Sequence, residues 1–169
     1  MENYEKQVKL RKESITDELT GLWNRRYFLN GLEEIIISAE RNKDIFSMIF
    51  IDVNNFKEIN DRFGHETGDR VLIIIGQMLQ RICRKNDLSA RFGGDEFVIL
   101  ANYTDKTGAG IMIQRMRDLL EKVKLGDTGI IISIAAGVSE YPTNGNNVDT
   151  LIDTADKLMY KNKNDMKPY

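Results

Sequence analysis

The sequence predicts an α+β plait, in which helices pack on an antiparallel or mixed sheet. Three observations point to it. Apolar stripes at steps of three and four mark several long helices. Short runs rich in β-branched and aromatic residues mark strands buried on both faces. Two of the strands are joined through Gly93-Gly94-Asp95, a hairpin turn that has no place in a doubly wound parallel sheet.

The elements follow in order. Residues 1–15 are rich in Lys and Glu, with Tyr4 and Val8 spaced for one helical face; they read either as a solvated, frayed terminal helix or as a helical linker ahead of a domain at 16–169. From Asn24 to about Asn42, Tyr27, Phe28, Leu32, Ile35 and Ile36 form an apolar stripe. The run Ile45 to Val53 (IFSMIFIDV) suits a central strand. Asn54 and Asn55 are candidate N-caps for a short helix over Phe56 to Arg62. Gly64 and Gly68 are expected to bracket a tight loop, with Asp69 opening an apolar helix to about Lys85. Leu88 to Phe92 and Glu96 to Ala101 are the hairpin strands, and the glycine pair is expected to supply positive φ at the turn. A helix over about Thr107 to Lys124, a strand over Ile130 to Glu140 with a bulge at Gly137, and a helix over about Val148 to Lys163 complete the chain.

Composition narrows the function. The chain has 169 residues, enough for one domain to bury a core without staples. The single cysteine, Cys83, excludes an internal disulfide framework and a Cys-rich zinc site. With 24 Lys+Arg against 26 Asp+Glu, a net charge of -2 disfavours a general nucleic-acid binder but leaves room for a small phosphate ligand held by local cations. No apolar run reaches membrane-spanning length and the first residues lack a signal-peptide core, so the domain is expected to be cytoplasmic and free of membrane contact.

The chemistry concentrates in acidic strand ends. Asp52 closes the most buried strand, and Asp95 and Glu96 sit at the hairpin tip, where two glycines leave space for a bulky ligand. If the central strand neighbours the hairpin, the three carboxylates converge; clustered without a basic neighbour they repel and need a cation. Mg²⁺ suits them because it takes one or two carboxylates and completes its shell from substrate phosphates. Taken singly, an Asp at a strand end and a Gly-Gly-Asp turn are ordinary structural features. Lys57, Lys163 and Lys167 are candidate phosphate partners or plain surface lysines. Asn60 and Asp69 offer the amide and carboxylate that a guanine edge requires, or are a loop former and a helix cap. His65, the one histidine, excludes His-pair sites and suits a loop hydrogen bond, and Cys83 reads as core. Neither a GxxxxGK[ST] loop nor a GxGxxG turn after a strand is present.

At Arg91-Phe92-Gly93-Gly94-Asp95-Glu96-Phe97 the sequence resembles the GGDEF domain of diguanylate cyclases. A given five-letter word arises by chance about once per million positions, and this one has company. Asp17-Glu18-Leu19-Thr20-Gly21-Leu22 with Asn24-Arg25-Arg26, the stretch from Asp52 to Asp69, and Ala155-Asp156 with Tyr160 and Lys163 resemble further motifs of the family, in register over residues 16–167. The resemblance implies a ferredoxin-like, palm-type plait with a mostly antiparallel central sheet and a catalytic hairpin at the GGDEF turn. It also implies a nucleotidyltransferase that condenses two GTP molecules into cyclic di-GMP and two pyrophosphates. Each 3′-hydroxyl attacks the α-phosphate held by the facing subunit of a transient homodimer.

By the same resemblance Asp52, the Val53 carbonyl and Asp95 would bind Mg²⁺, with Mn²⁺ as a substitute. Asp95 or Glu96 would take the hydroxyl proton, and Lys57 would stabilise phosphate charge. Phe56, Asn60, His65, Asp69, Gly93, Gly94, Lys163 and Lys167 would line the GTP site. Asp69 implies guanine specificity, since a Ser there in related cyclases goes with adenine-containing products. Arg84 and Asp87, five residues before the GGDEF word, resemble the RxxD product-feedback site, with the arginine fork on a phosphate or guanine edge. Residues 1–15 would be the stub joining an upstream sensor. Two departures stand out. Asn54 replaces a usual second aspartate, and Lys167-Pro168 replaces a closing Arg-Asn, which costs the bidentate fork. Two rival readings are a catalytically silent cyclic di-GMP or GTP sensor of the same fold, and a plait that binds RNA. The acidic balance and the lack of exposed strand aromatics disfavour the second.

Overall fold

The computed structural model describes residues 15–165. Their elements are β1 (Trp23–Asn24), α1 (Arg25–Asn42), β2 (Phe46–Val53), α2 (Phe56–Phe63), α3 (His65–Ile82), β3 (Leu88–Arg91), β4 (Glu96–Asn102), α4 (Lys106–Leu120), β5 (Ile134–Tyr141) and α5 (Val148–Asp165). The sheet order is β1-β3-β4-β2-β5, antiparallel throughout except for the parallel β1–β3 pair. This is the expected α+β architecture, with the central strand, β2, buried at every position between β4 and β5.

Strand alternation divides the core into two layers. Ile49, Ile51 and Val53 of β2 join Phe97, Ile99 and Ala101 of β4 on the face covered by α2, α3 and α4. Phe46, Met48 and Phe50 join Val98 and Leu100 on the face covered by α1 and α5. The same parity puts Asp52 and Glu96 on the α1/α5 face, at the end of the sheet where the hairpin turns. Burying the strands on both sides explains why they read as nearly unbroken apolar runs.

Several expectations give way to tertiary contacts. Two-residue β1 was not foreseen; its pairing with Ala90 and Arg91 is set by a distant strand and has no local signature. Helix α3 starts at His65, directly after Gly64 (φ 86°), so there is no Gly64–Gly68 loop and Asp69 is its fifth residue instead of its cap. Asn55 precedes α2 in the left-handed region (φ 55°) without a side-chain cap bond, while the Asn54 amide donates to Ser133 Oγ at 3.1 Å. Gly93 and Gly94 are not among the positive-φ residues. Gly137 forms no bulge, because β2 and β5 stay in unbroken register from Phe46↔Tyr141 to Val53↔Ile134. Its absent side chain instead makes room for α5: a Cβ there would run into the Ala155 carbonyl and the Met159 nitrogen. The strand begins at Ile134, four residues later than expected, and α3 and α4 end at Ile82 and Leu120, short of Lys85 and Lys124. Cys83 packs against the first core layer. Burial, with a smaller push from the Asp87 charge, raises its thiol to about 12, so it is an inert core group. The linker expected over residues 1–15 lies almost wholly outside the described residues, as do Lys167 and Pro168.

Candidate active site

The sheet brings the two acidic strand ends together. Asp52 lies directly opposite Glu96 in the β2–β4 register, so the condition for convergence is met. The Val53 N–H donates to the Asp95 carbonyl at 3.1 Å, which stitches the hairpin turn to the end of β2. Phe92 and Gly93 donate to the Glu96 carbonyl at 2.8 and 3.2 Å and close the turn. Glu96 folds over the turn, and a Cβ on Gly93 would collide with its carboxylate. The glycine there provides room, not a special backbone angle.

Arg91 braces the turn from outside. Its Nε donates to the Gly93 and Gly94 carbonyls, both at 3.2 Å, and Nη2 donates to Gly94 at 2.8 Å. Its Nη1 pairs with Asp17, whose carboxylate also accepts from the Thr20 N–H (2.9 Å) and hydroxyl (2.7 Å). Burial works to raise the Asp17 carboxyl, but the Thr20 bonds and the Arg91 charge outweigh it and hold Asp17 below the usual carboxylate range.

Electrostatically the site is a concentration of carboxylates. Burial first, then the charges of Asp95 and Asp156, push Asp52 above the usual aspartate range against the lowering effect of Lys163. Glu96 is raised by burial and by Asp52, Asp95 and Asp156, with Arg25 pulling the other way. The expectation of a cluster without a basic neighbour is corrected here: Lys163 of α5 reaches back to Asp52 Oδ1 at 2.5 Å. Aiming it, Asn162 Nδ2 donates to the Ala136 carbonyl at 2.7 Å, next to the β5 residue paired with Asp52.

Asp156 and Arg25 act on this cluster, and no role was assigned to them from sequence; the Ala155-Asp156 motif and the NRR word were the available signals. Both line a cavity of about 650 Å³ between α1 and α5, beside Phe92. The Arg25 guanidinium lies 4.6 Å from the Phe92 ring centre.

On the opposite face, α2 and α3 form a polar notch. Asn60 Oδ1 is buried and has no hydrogen-bond partner, an arrangement that awaits a donor. Gly68 creates this space, since a Cβ there would coincide with Asn60 Oδ1 and crowd the Phe56 ring. His65 and Asp69, exposed and four residues apart, share the α3 face that carries Gly68. Phe56 packs against the core below, and Lys57 is exposed at the start of α2.

Arg84 and Asp87 are brought together at the other end of β3, away from the turn. The Asp87 carboxylate accepts from the Arg84 N–H at 2.8 Å and the Asn102 N–H at 3.1 Å, while the Arg84 side chain is exposed.

The family model described as the diguanylate cyclase GGDEF domain matches residues 14–168. The chain belongs to the GGDEF family. Diguanylate cyclase A of Treponema denticola is 33% identical over 153 residues, covering 88% of this chain and 41% of that protein. The response regulator PleD of Caulobacter vibrioides is 35% identical over 154 residues, 89% of this chain and 34% of its own length. The cyclic di-GMP phosphodiesterase NbdA of Pseudomonas aeruginosa is 33% identical over 155 residues, 91% of this chain and 20% of its length. The chain therefore spans less than half the length of these relatives.

Among solved structures, the GGDEF domain of PA1120 (TpbB or YfiN) from Pseudomonas aeruginosa superposes with a TM-score of 0.84 at 32% identity, covering 90% of each chain. The coiled coil and GGDEF domain of DgcB from Caulobacter crescentus, in complex with c-di-GMP, gives 0.90 at 23% identity, covering 98% of this chain and 89% of that one; it supports the fold alone. Among the described residues, no helix is long and apolar enough to cross a membrane.

Proposed function

We propose that this GGDEF domain is an active, guanine-specific diguanylate cyclase that turns over as a transient homodimer. The observation that carries the reading is the in-register placement of Asp52 opposite Glu96, with Asp95 stitched beside them. The donor set is all oxygen, and among the described residues no three His, Cys, Asp or Glu side chains form a ready-made metal shell. That chemistry fits a hard cation that completes its coordination from phosphates. Asp52, the Val53 carbonyl and Asp95 would hold Mg²⁺, or Mn²⁺ in its place. When bound, the metal neutralises the triphosphate and lowers the energy of an attacking alkoxide.

The residues of the chain carry the remaining steps. Asn60, His65 and Asp69 hold the guanine and ribose above Phe56, the unpartnered Asn60 Oδ1 accepting a donor from the base edge. Lys57, Lys163 and Lys167 pair with phosphate oxygens, and Gly93 and Gly94 leave the turn open to them. Asp95 or Glu96 accepts the 3′-hydroxyl proton; burial, and then the charges of Asp52, Asp95 and Asp156, make Glu96 more basic than an ordinary glutamate. The 3′-oxygen forms a bond to the α-phosphorus of the facing GTP, and the bond from that phosphorus to the bridging oxygen breaks to release pyrophosphate. Two such steps close the ring. Arg84 and Asp87 bind product for feedback, and residues 1–15 connect to an upstream sensor.

The test is incubation of the domain with GTP and Mg²⁺, followed by chromatography. Cyclic di-GMP is expected, at a rate that falls more steeply than linearly on dilution. A folded domain that makes none at high protein concentration overturns the reading, and product binding without turnover assigns it to the silent sensor class instead.

A further inference from the structure

Lys163 meets the carboxylate that the proposed metal would need. Its ammonium contacts Asp52 Oδ1 at 2.5 Å, with the lysine side chain 31% exposed and the aspartate 11% exposed. Asp52 is the most enclosed acid of the cluster, and the surrounding Asp95, Glu96 and Asp156 make an uncompensated charge there costly. In this arrangement the lysine supplies the compensation.

A divalent cation and an ammonium compete for that carboxylate, because at such range each repels the other. A nucleotide changes the balance because its phosphates offer the ammonium a new anion while bringing the metal with them. We propose that Lys163 is an exchangeable counter-ion: it occupies Asp52 until nucleotide arrives, so that the divalent cation enters with the triphosphate and not ahead of it. The proposal rests on the reading of Asp52 as a metal ligand. Its physical content is a linkage, since one side chain makes metal affinity depend on bound nucleotide and nucleotide affinity depend on bound metal. The geometry favours this role because α5 is held rigidly. Gly137 lets its backbone lie against β5, and Asn162 bonds the Ala136 carbonyl, so the lysine side chain alone has to swing.

The experiment measures Mn²⁺ binding to the nucleotide-free domain, by the electron paramagnetic resonance signal of the free ion. Lys163→Met is expected to bind Mn²⁺ about tenfold more tightly than wild type, and Lys163→Gln to do the same. Lys161→Met removes an equal charge from an exposed neighbour and is expected to change the affinity less than about twofold. Adding Asp52→Asn to Lys163→Met is expected to abolish the gain. With a non-cyclisable GTP analogue present, the order reverses and Lys163→Met binds the metal–nucleotide pair more weakly than wild type. Unchanged or weaker Mn²⁺ binding by both Lys163 variants overturns the exchange, as does an equal gain in Lys161→Met. These readouts involve no turnover, so failure of the cyclase assay and failure of the exchange are separate results.

Discussion

Asp17 and Arg91, 74 residues apart in sequence, form an ion pair of 3.2 Å that ties the start of the domain to the turn carrying Asp95 and Glu96. Arg91 spends its remaining donors on the Gly93 and Gly94 carbonyls, so one guanidinium spans both segments. Arg91→Met is expected to slow cyclic di-GMP formation about tenfold or more, by loosening a turn that must hold a carboxylate within a fraction of an ångström. A double-mutant cycle with Asp17→Asn should return a coupling of about 1 kcal/mol in urea unfolding.

The same pair sets an acid limb. The folded domain holds the Asp17 carboxyl below its ordinary value, so its stabilisation is complete above the usual aspartate range and is lost as pH falls through the lowered pKa. Asp17→Asn should therefore flatten the loss of stability on acidification, measured by thermal melts across pH 2 to about 6.

Glu96 has the opposite sign. Burial and three neighbouring carboxylates raise its pKa, so its contribution is full below the ordinary glutamate range and declines as pH rises through the raised value. Glu96→Gln should raise Tm at pH near 7.5 by about 1–3 °C, a modest gain because the side chain is partly open to solvent screening. The gain should vanish toward pH 4, where the wild-type carboxyl also becomes neutral.

Two glycine substitutions separate binding from stability. In Gly68→Ala the new methyl displaces the end of the Asn60 side chain and presses lightly on the Phe56 ring edge, and the helix gains about 1 kcal/mol from losing a glycine. Stability should stay within about 1 kcal/mol of wild type, while KM for GTP rises about tenfold as a guanine hydrogen bond is lost. In Gly137→Ala the methyl meets backbone atoms of α5, which cannot rotate away. A destabilisation of about 3 kcal/mol or more is expected in urea melts.

Asp95→Ala should abolish turnover and leave the melting curve close to wild type, because the residue contributes its backbone carbonyl, retained in alanine, to the Val53 bond. Undiminished turnover would refute the metal assignment.

The sheet was legible where burial writes itself into composition. The run ending at Asp52 and the hairpin around Gly93-Gly94 read as strands because both faces are covered, and their acidic ends predicted the convergence that the β2–β4 register displays. What escaped the sequence depends on neighbours far along the chain. Trp23–Asn24 becomes a strand because Ala90 and Arg91 lie beside it. Gly137 looked like a bulge because a lone glycine in a strand has two explanations, and close approach of α5 is the one realised. Likewise the His65-Glu66-Thr67-Gly68 segment reads as loop, yet Gly64 turns the chain early enough for α3 to include it. The Lys163–Asp52 contact follows from where α5 lands, which no periodicity specifies.

That landing has a further consequence. Because α5 meets the sheet backbone against backbone at Gly137, the offset between the helix bearing Lys163 and Asp156 and the strand bearing Asp52 does not depend on the volume of any core side chain there. Met48, Phe50, Val98 and Leu100 share a buried layer with Leu151, Ala155 and Met159 of α5 and act on this alignment through side-chain packing, whereas Gly137 acts on it through the main chain. The smallest residue in the strand thus gives the charged cluster one point of registration that no side-chain volume sets.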